Sequence, residues 1–305
     1  MRTAQHSRTL RIAPCCVLLS AVLALGCGRT SPDVREVGGY VLVYGFEASD
    51  EATAQLLVPA LRERLKRSGF ADASVRLLPQ DGQVEISLPG AEGKDVELAK
   101  RVIPATGLLE FRVLAKPGMD DALIAAALEA GQAEAGQAEG NEAEVPRETG
   151  REGATRWVGY DPQEVVLEPD CVTRETSAGD NEVLVLLDKW NLTGAHLQAA
   201  SPGVDAAGNP CLSATLTPLG TQRMQALSGE NLPQGPGDVR RLGILLDNQL
   251  LTAPSIQSRI GGRFQITGQF SDWDIHYLVA VLRSGRLPVQ LRREPLMESR
   301  LEPAP

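Results

Sequence analysis

Aromatic residues are scarce in this chain, at 4% of 305 residues, so any core it builds is mostly aliphatic. Three histidines and five cysteines leave little for metal sites or histidine-dependent catalysis. Basic charge is also short. Thirty Lys and Arg stand against thirty-nine Asp and Glu, a formal net charge of −9. A nucleic-acid binder needs a basic face to neutralise phosphates, so that class is excluded. Past the N-terminal segment no stretch approaches the roughly 20 consecutive apolar residues of a spanning helix. What remains is ordinary globular composition, 43% apolar and 23% charged, in a length natural for two domains.

The N-terminus has its own character. Arg2, Arg8 and Arg11 precede an apolar run from Ile12 to Leu25, and no acid occurs before Asp33. A basic start, a short apolar stretch and small residues before a break form a secretory signal. Fourteen residues at about 1.5 Å each reach roughly 21 Å, short of the ~30 Å hydrocarbon core. The run closes at Ala24-Leu25-Gly26-Cys27. Small residues followed by Cys resemble the bacterial lipobox, although Ala24 stands where that motif prefers Leu. The resemblance implies cleavage after residue 26, a diacylglycerol thioether on Cys27, and a lipid-anchored protein of the cell envelope facing the periplasm. Two or three acyl chains hold a protein on a membrane where one binds only marginally. The alternative is an ordinary cleaved signal with Cys27 a stray thiol. Cys171 and Cys211 are then the other cysteines of the mature chain. An oxidising compartment permits a disulfide between them, but spacing alone does not bring their Cα atoms within reach.

Charge marks the organisation of the rest. Residues 117–182 hold sixteen acids and four bases, including Glu129-Ala-Gly-Gln-Ala repeated from Glu134. With few branched apolar residues, 117–181 reads as an acidic low-complexity insertion or linker, with a short helix over Asp120 to Glu129. Residues 27–39 read as a tether and 293–305 as a tail. Between them lie two structured runs, 40–116 and 182–292.

The first run alternates strands and helices. Tyr40 to Tyr44 reads as a strand, and Ser49-Asp50 caps a helix to Ser68 with Leu57, Leu61 and Leu65 on one face. Strands Ser74 to Leu78 and Gln83 to Leu88 flank a turn at Asp81-Gly82. A helix over Asp95 to Thr106 follows, which Pro104 bends or ends early, then a strand at Leu108 to Leu114. This β-α-β-β-α-β order predicts a ferredoxin-like base. In the second run, strands are expected at Glu182 to Leu187, Cys211 to Leu216, Arg241 to Leu246, Gln249 to Ala253 and Phe264 to Thr267. Helices are expected over Thr193 to Ala200 and Pro218 to Leu227, with a last one capped by Ser271 and stopped by Gly285. The fold class is α+β, a base plus a second α+β head.

Several fragments are then familiar. Leu192-Thr-Gly-Ala-His-Leu197, Leu242-Gly-Ile-Leu-Leu-Asp247, Thr252-Ala-Pro-Ser-Ile256, Ile266-Thr-Gly268 and Leu282-Arg-Ser-Gly-Arg-Leu-Pro288 resemble, in order, the first periplasmic domain of the SecD family. Ile86-Ser-Leu-Pro-Gly90 and Thr106-Gly-Leu-Leu-Glu-Phe-Arg112 resemble that domain's base. The resemblance covers roughly 40–115 and 182–292. It implies an accessory of protein export that binds extended polypeptide emerging from the Sec translocon. Here a lipid signal stands where the family has its first transmembrane helix, and the sequence ends at Pro305, near where the second begins. The expectation is a module without its own proton-driven motor, since no ionisable residue lies at membrane depth. A structural lipoprotein reusing the fold to dock on an envelope complex is the alternative.

No cofactor, metal or enzymatic activity is expected. His196, Ser201 and Asp205 lie close in sequence, but no nucleophile elbow accompanies them. His276 reads as an exposed helical residue, Asp247 as a hairpin turn, and Gly261-Gly262 as a turn without a phosphate-loop pattern. Asn191-Leu-Thr193 fits helix capping better than glycosylation. Arg240, Arg241, Arg259 and Arg263 read as solvated edges.

Overall fold

The computed structural model describes residues 32–47, 50–79, 82–135 and 153–303. Cys27, the signal segment, Asp81 and most of the acidic repeats lie outside the described residues. In chain order the elements are α1 (Val34–Val37), β1 (Gly39–Gly45), α2 (Glu51–Arg67), β2 (Ser74–Leu77), β3 (Gln83–Pro89), α3 (Lys94–Val102) and β4 (Leu109–Leu114). Then come α4 (Asp121–Ala135), β5 (Ala154–Tyr160), β6 (Thr173–Glu175), β7 (Asn181–Leu187), β8 (Leu192–Thr193), β9 (Leu197–Val204) and β10 (Pro210–Leu216). The last are α5 (Pro218–Glu230), β11 (Leu242–Leu246), β12 (Gln249–Thr252), β13 (Arg263–Ile266), α6 (Asp272–Ser284) and β14 (Met297–Leu301). The class is α+β, as the sequence implies.

The base is a four-stranded antiparallel sheet in the order β14-β1-β3-β2. Its inner face carries Leu42, Tyr44, Ile86 and Val84, and α2 and α3 cover it with Leu57, Leu61, Leu65, Val96 and Ala99. Asp50 starts α2 by accepting from Thr53 N at 2.7 Å, which satisfies one of the orphan donors of the first turn. The i, i+4, i+8 spacing of the three leucines then places all of them, fully buried, on one stripe. Each such leucine contributes about 2 kcal/mol of burial. The expected sixth element, β4, does not close this sheet. β14 takes the edge beside β1 instead, so residues 293–305 are partly structural rather than a free tail. Gly39 pairs with Leu301, and Gly38 packs against Pro303, which brings the two ends of the described chain together.

β4 leaves the base and enters a seven-stranded sheet, β6-β7-β5-β12-β11-β4-β8. β7 also pairs with β4 (Val113↔Leu186, Leu114↔Val185), so β7, β5, β12, β11 and β4 close into a ring. Its interior is filled by Leu114, Val158, Val183, Val185, Leu245 and Leu250. Gly243 lies opposite Arg112 on β4, and a Cβ there would come 2.6 Å from a Leu114 methyl, so the ring requires glycine at this place. Alternation along β4 and β11 sends Phe111, Val113, Leu242, Ile244 and Leu246 to the other side. There they join a second core with Met224 and Leu227 of α5, Ile275 and Leu278 of α6, and Leu212 and Ile266 of the head sheet β13-β10-β9.

Two expectations are overturned. Residues 117–181 are not simply a linker: α4 is a fifteen-residue helix, and β5 pairs with β7 along its whole length. Val158 is why, since its side chain is needed inside the ring. The segment expected as a helix at Thr193 to Ala200 is a single 3-10 turn, Gly194–His196, followed by β9. Pairing with β10, from Leu197↔Leu216 to Val204↔Pro210, outweighs the weak helical pattern. The helix before Pro104 ends early, at Val102, one of the two outcomes the proline allows.

Candidate functional site

The chain passes from base to head through Thr106-Gly107-Leu108 and returns through Ser284-Gly285. Both crossings are held by named side chains. Asp247 and Asn248 form the β11–β12 turn with φ of 52° and 64°, the paired positive values of a type I′ hairpin. The turn frees the Asp247 carboxylate to accept from Leu108 N at 2.8 Å, Gly107 N at 3.3 Å and the Thr106 hydroxyl. Asp247 is therefore more than a turn residue. From the base side, Arg64 is fully buried. Its guanidinium donates to Gly285 O at 2.7 Å, to Ser284 Oγ at 2.9 Å and to Ala105 O. Burial lowers its pKa to about 10, partly offset by the Asp247 charge, so it stays cationic at neutral pH. The sequence reading passed over Arg64. The available signal was its position three residues after Leu61, on the buried stripe of α2.

A second charged group lies in the ring. Glu110, Arg112 and Leu114 share one face of β4, as Arg156 and Val158 share one of β5. The Leu-Glu-Phe-Arg run thus directs its apolar residues to the outer core and its charges inward. Glu110, 1% exposed, meets Arg112 Nη2 at 2.6 Å with one oxygen and Arg156 Nη2 at 2.6 Å with the other. Arg112 also donates to Asn191 Oδ1 at 2.6 Å and faces Asp188 at 3.7 Å. Burial alone raises the Glu110 pKa, but the two arginines outweigh it and hold the carboxyl below its ordinary range. Asp188 shows the opposite balance. Burial raises its pKa above the usual value despite Arg112 and the backbone donors of Trp190 and Asn191. Asn191 sits at φ 40°, a turn conformation that asparagine tolerates, which is how it reaches Arg112.

The remaining sequence candidates separate. Ser201 lies within β9 opposite Ser213, Asp205 closes a turn by accepting from Ala207 N and Asn209 N at 2.8 Å, and His196 caps Thr193. The three do not form a triad. His276 is exposed on α6, its Nδ1 2.6 Å from Asp272 O of the same helix. Arg240 and Arg241 are not solvated edges. Arg240 forms a two-pronged pair with Asp120 at 2.9 Å on each arm, and Arg241 lies 3.4 Å from Glu168, tying the acidic segment to the head. Cys171 and Cys211 are both free thiols. Cys171 packs beside the ring core, whereas Cys211 is buried in β10 of a different sheet, so the disulfide left open by the sequence does not form here. Burial raises both thiol pKa values and keeps them protonated. Among the described residues no group of three or more His, Cys, Asp or Glu is placed to hold a metal. No described helix is long and apolar enough to cross a membrane.

A base sheet, a closed ring with a charged half and a head sheet define an α+β module whose crossings are pinned from both sides. Residues 170–289 match the family described as SecDF, P1 head subdomain, which begins earlier than the expected boundary at 182 and takes in β6. The protein translocase subunit SecDF of Thermus thermophilus is 29% identical over 233 residues, 76% of this chain and 26% of that protein. SecD of Magnetococcus marinus is 25% identical over 237 residues, 77% of this chain and 37% of that one. The chain thus spans between about a quarter and two-fifths of the length of these relatives. A solved structure described as a membrane component SecDF that enhances protein export superposes with a TM-score of 0.51 at 25% identity. The match covers 84% of this chain and 98% of that one. SecDF in its super-membrane-facing form gives 0.54 at 22% identity over 88% of this chain and 32% of that one, a likeness of fold. Residues 170–289 are thus similar to the SecDF P1 head subdomain, and about three-quarters of the chain is similar to part of the SecD and SecDF translocase subunits.

Proposed function

We propose that this protein is a lipid-anchored, extracytoplasmic SecD-like module that binds extended polypeptide and assists its export across the envelope. The observation that carries this reading is the match across 98% of a solved chain described as a membrane component SecDF that enhances protein export. Binding of this kind biases chain movement by mass action on the bound form and needs no proton-driven step or catalytic group of its own. The proposed partners are unfolded chains and components of the Sec translocon, and the proposed attachment is diacylglycerol on Cys27. The test is fluorescence anisotropy of a permanently unfolded, carboxymethylated polypeptide titrated with the purified protein. Saturable binding that folded competitor does not displace is expected. A flat titration overturns the polypeptide-binding role, and co-purification of other envelope proteins without translocon subunits would reassign the module to docking.

A further inference from the structure

The base sheet ends at β14, and the backbone shows which way that strand faces. Phe46 N donates to Gly82 O at 2.8 Å and Gly38 O accepts from Gly90 N at 2.9 Å, so even-numbered residues along β1 turn their polar groups toward β3. Val43 O accepts from Leu296 N at 2.7 Å and Gly45 O from Arg292 N at 2.9 Å, so odd-numbered ones turn toward β14. The register sets Val41 opposite Ser299 and Gly39 opposite Leu301. In an antiparallel ladder the residues opposite those odd positions bond inward, and their neighbours point out. Glu298 and Arg300 therefore present their N–H and C=O groups on the outer side, with no backbone partner among the described residues.

Two other edges, β9 and β2, are blunted. Pro202, opposite Leu212, and Pro210, opposite Val204, lack N–H groups, which makes Ala200, Pro202 and Val204 the outward residues of β9. Pro202 has no donor there, Arg283 Nε occupies Ala200 O at 2.7 Å, and Gln265 Nε2 occupies Val204 O at 3.0 Å. On β2, Arg62 occupies Val75 O at 2.9 Å. Side-chain caps and proline are the usual protection of a free edge. β14 has neither.

Its side chains read Met297, Glu298, Ser299, Arg300, Leu301: apolar, acidic, small, basic, apolar. Reversed, the order keeps its pattern and exchanges the charges. An antiparallel copy centred on Ser299 sets Glu298 opposite Arg300 twice, and Met297 opposite Leu301 twice. The charged pairs fall on the residues whose backbone groups are free, so charge and hydrogen bonding select the same register. Arg300 is loosely held within its own chain, 4.0 Å from Glu92 and 3.9 Å from Glu302, both about 80% exposed. Glu298 contacts Lys100 at 2.9 Å and keeps a third of its side chain in solvent. Leu296 and Met297, each 49% exposed, lie at the start of the same edge.

We infer that a second copy of this chain docks edge to edge on β14, joining two four-stranded base sheets into one about a two-fold axis at Ser299. An extended polypeptide of arbitrary sequence would meet the same backbone groups but not both charge pairs. The interface does not depend on the export role.

The test is sedimentation velocity of the full chain in mild detergent over a concentration series, with charge reversals. The parent is expected to be in monomer–dimer exchange. Glu298→Arg or Arg300→Glu alone sets like charges opposite each other at both pairs and should weaken dimerisation about tenfold. The double variant E298R/R300E rebuilds both pairs with exchanged signs and should restore it, which separates interface loss from misfolding. Ser299→Cys supplies a second measurement. Facing residues of a non-hydrogen-bonded pair have Cα atoms about 4.5 Å apart, within disulfide reach. Oxidation should give a covalent dimer that Ser74→Cys on the β2 edge does not give. A parent that stays monomeric, a dimer indifferent to the single reversals, or equal cross-linking at 74 and 299 overturns the inference. So does association that unfolded polypeptide displaces while both reversals leave it intact.

Discussion

Glu110 neutralises two desolvated arginines, and only Arg112 has a second acid near it, Asp188 at 3.7 Å. Removing one member of such a group costs far more than the intact group contributes, because the partners stay desolvated. Glu110→Gln is therefore expected to lower unfolding free energy by about 3 kcal/mol, read as a lower urea midpoint at unchanged slope. Asp188 should behave in the opposite sense. Its pKa is raised in the folded state, so ionisation opposes folding and stability is lost as pH climbs past the ordinary carboxylate value near 3.9. Asp188→Asn should melt higher than the parent at neutral pH, with the difference vanishing near pH 3, where both are uncharged. Equal melting at neutral pH would sink this reading. The sequence made Leu-Glu-Phe-Arg visible as a motif but not as an ion cluster. Arg156, the third member, comes from the segment read as linker, and nothing local in Ala-Thr-Arg-Trp-Val marks which face its charge takes.

Elements were legible where one periodicity had no rival. α2 and α6 carry apolar stripes with a side-chain cap at the start, and both occur within a residue or two of their expected bounds. In α6, Ser271 and Asp274 form a reciprocal box, with Asp274 N donating to Ser271 Oγ at 3.2 Å and Ser271 N to Asp274 Oδ2 at 3.0 Å. Ser271→Ala should cost about 1 kcal/mol, seen as a shift in thermal midpoint. On α2, Leu61→Ala should cost about 3 kcal/mol through the cavity it leaves between helix and base sheet. Legibility failed where pairing partners are distant in sequence. β9 is read against β10, β5 against β7, and β14 against β1, and each reaches its strand state through a neighbour that no local window contains. The α+β class was accessible. That the fourth base strand comes from the tail was not, since Met297 to Leu301 carries no more strand signal than β4, which goes elsewhere.

For the whole molecule, resemblance did what periodicity could not. Ordered fragments carried the resemblance to SecD, while the separation of Cys171, in a bend beside the ring, from Cys211, in β10 of the head sheet, follows only from the fold. On the proposed reading, attachment rests on a single thiol. Cys27→Ser should move the protein from the membrane fraction to the soluble extract without changing its thermal midpoint, checked by fractionation and by mass spectrometry of the mature N-terminus. Recovery of the variant in washed membranes would reject the lipid anchor. One architectural fact bears on how such a module spreads among proteins. Gly39 and Leu301 are ladder partners, so the polypeptide arrives and departs at one point of the base. A body whose two ends touch can be spliced between any two adjacent positions of a longer host without prising that host apart or being stretched itself. The same fold can then serve as an internal segment of a far larger protein or hang from a short leader, with no redesign of its interior.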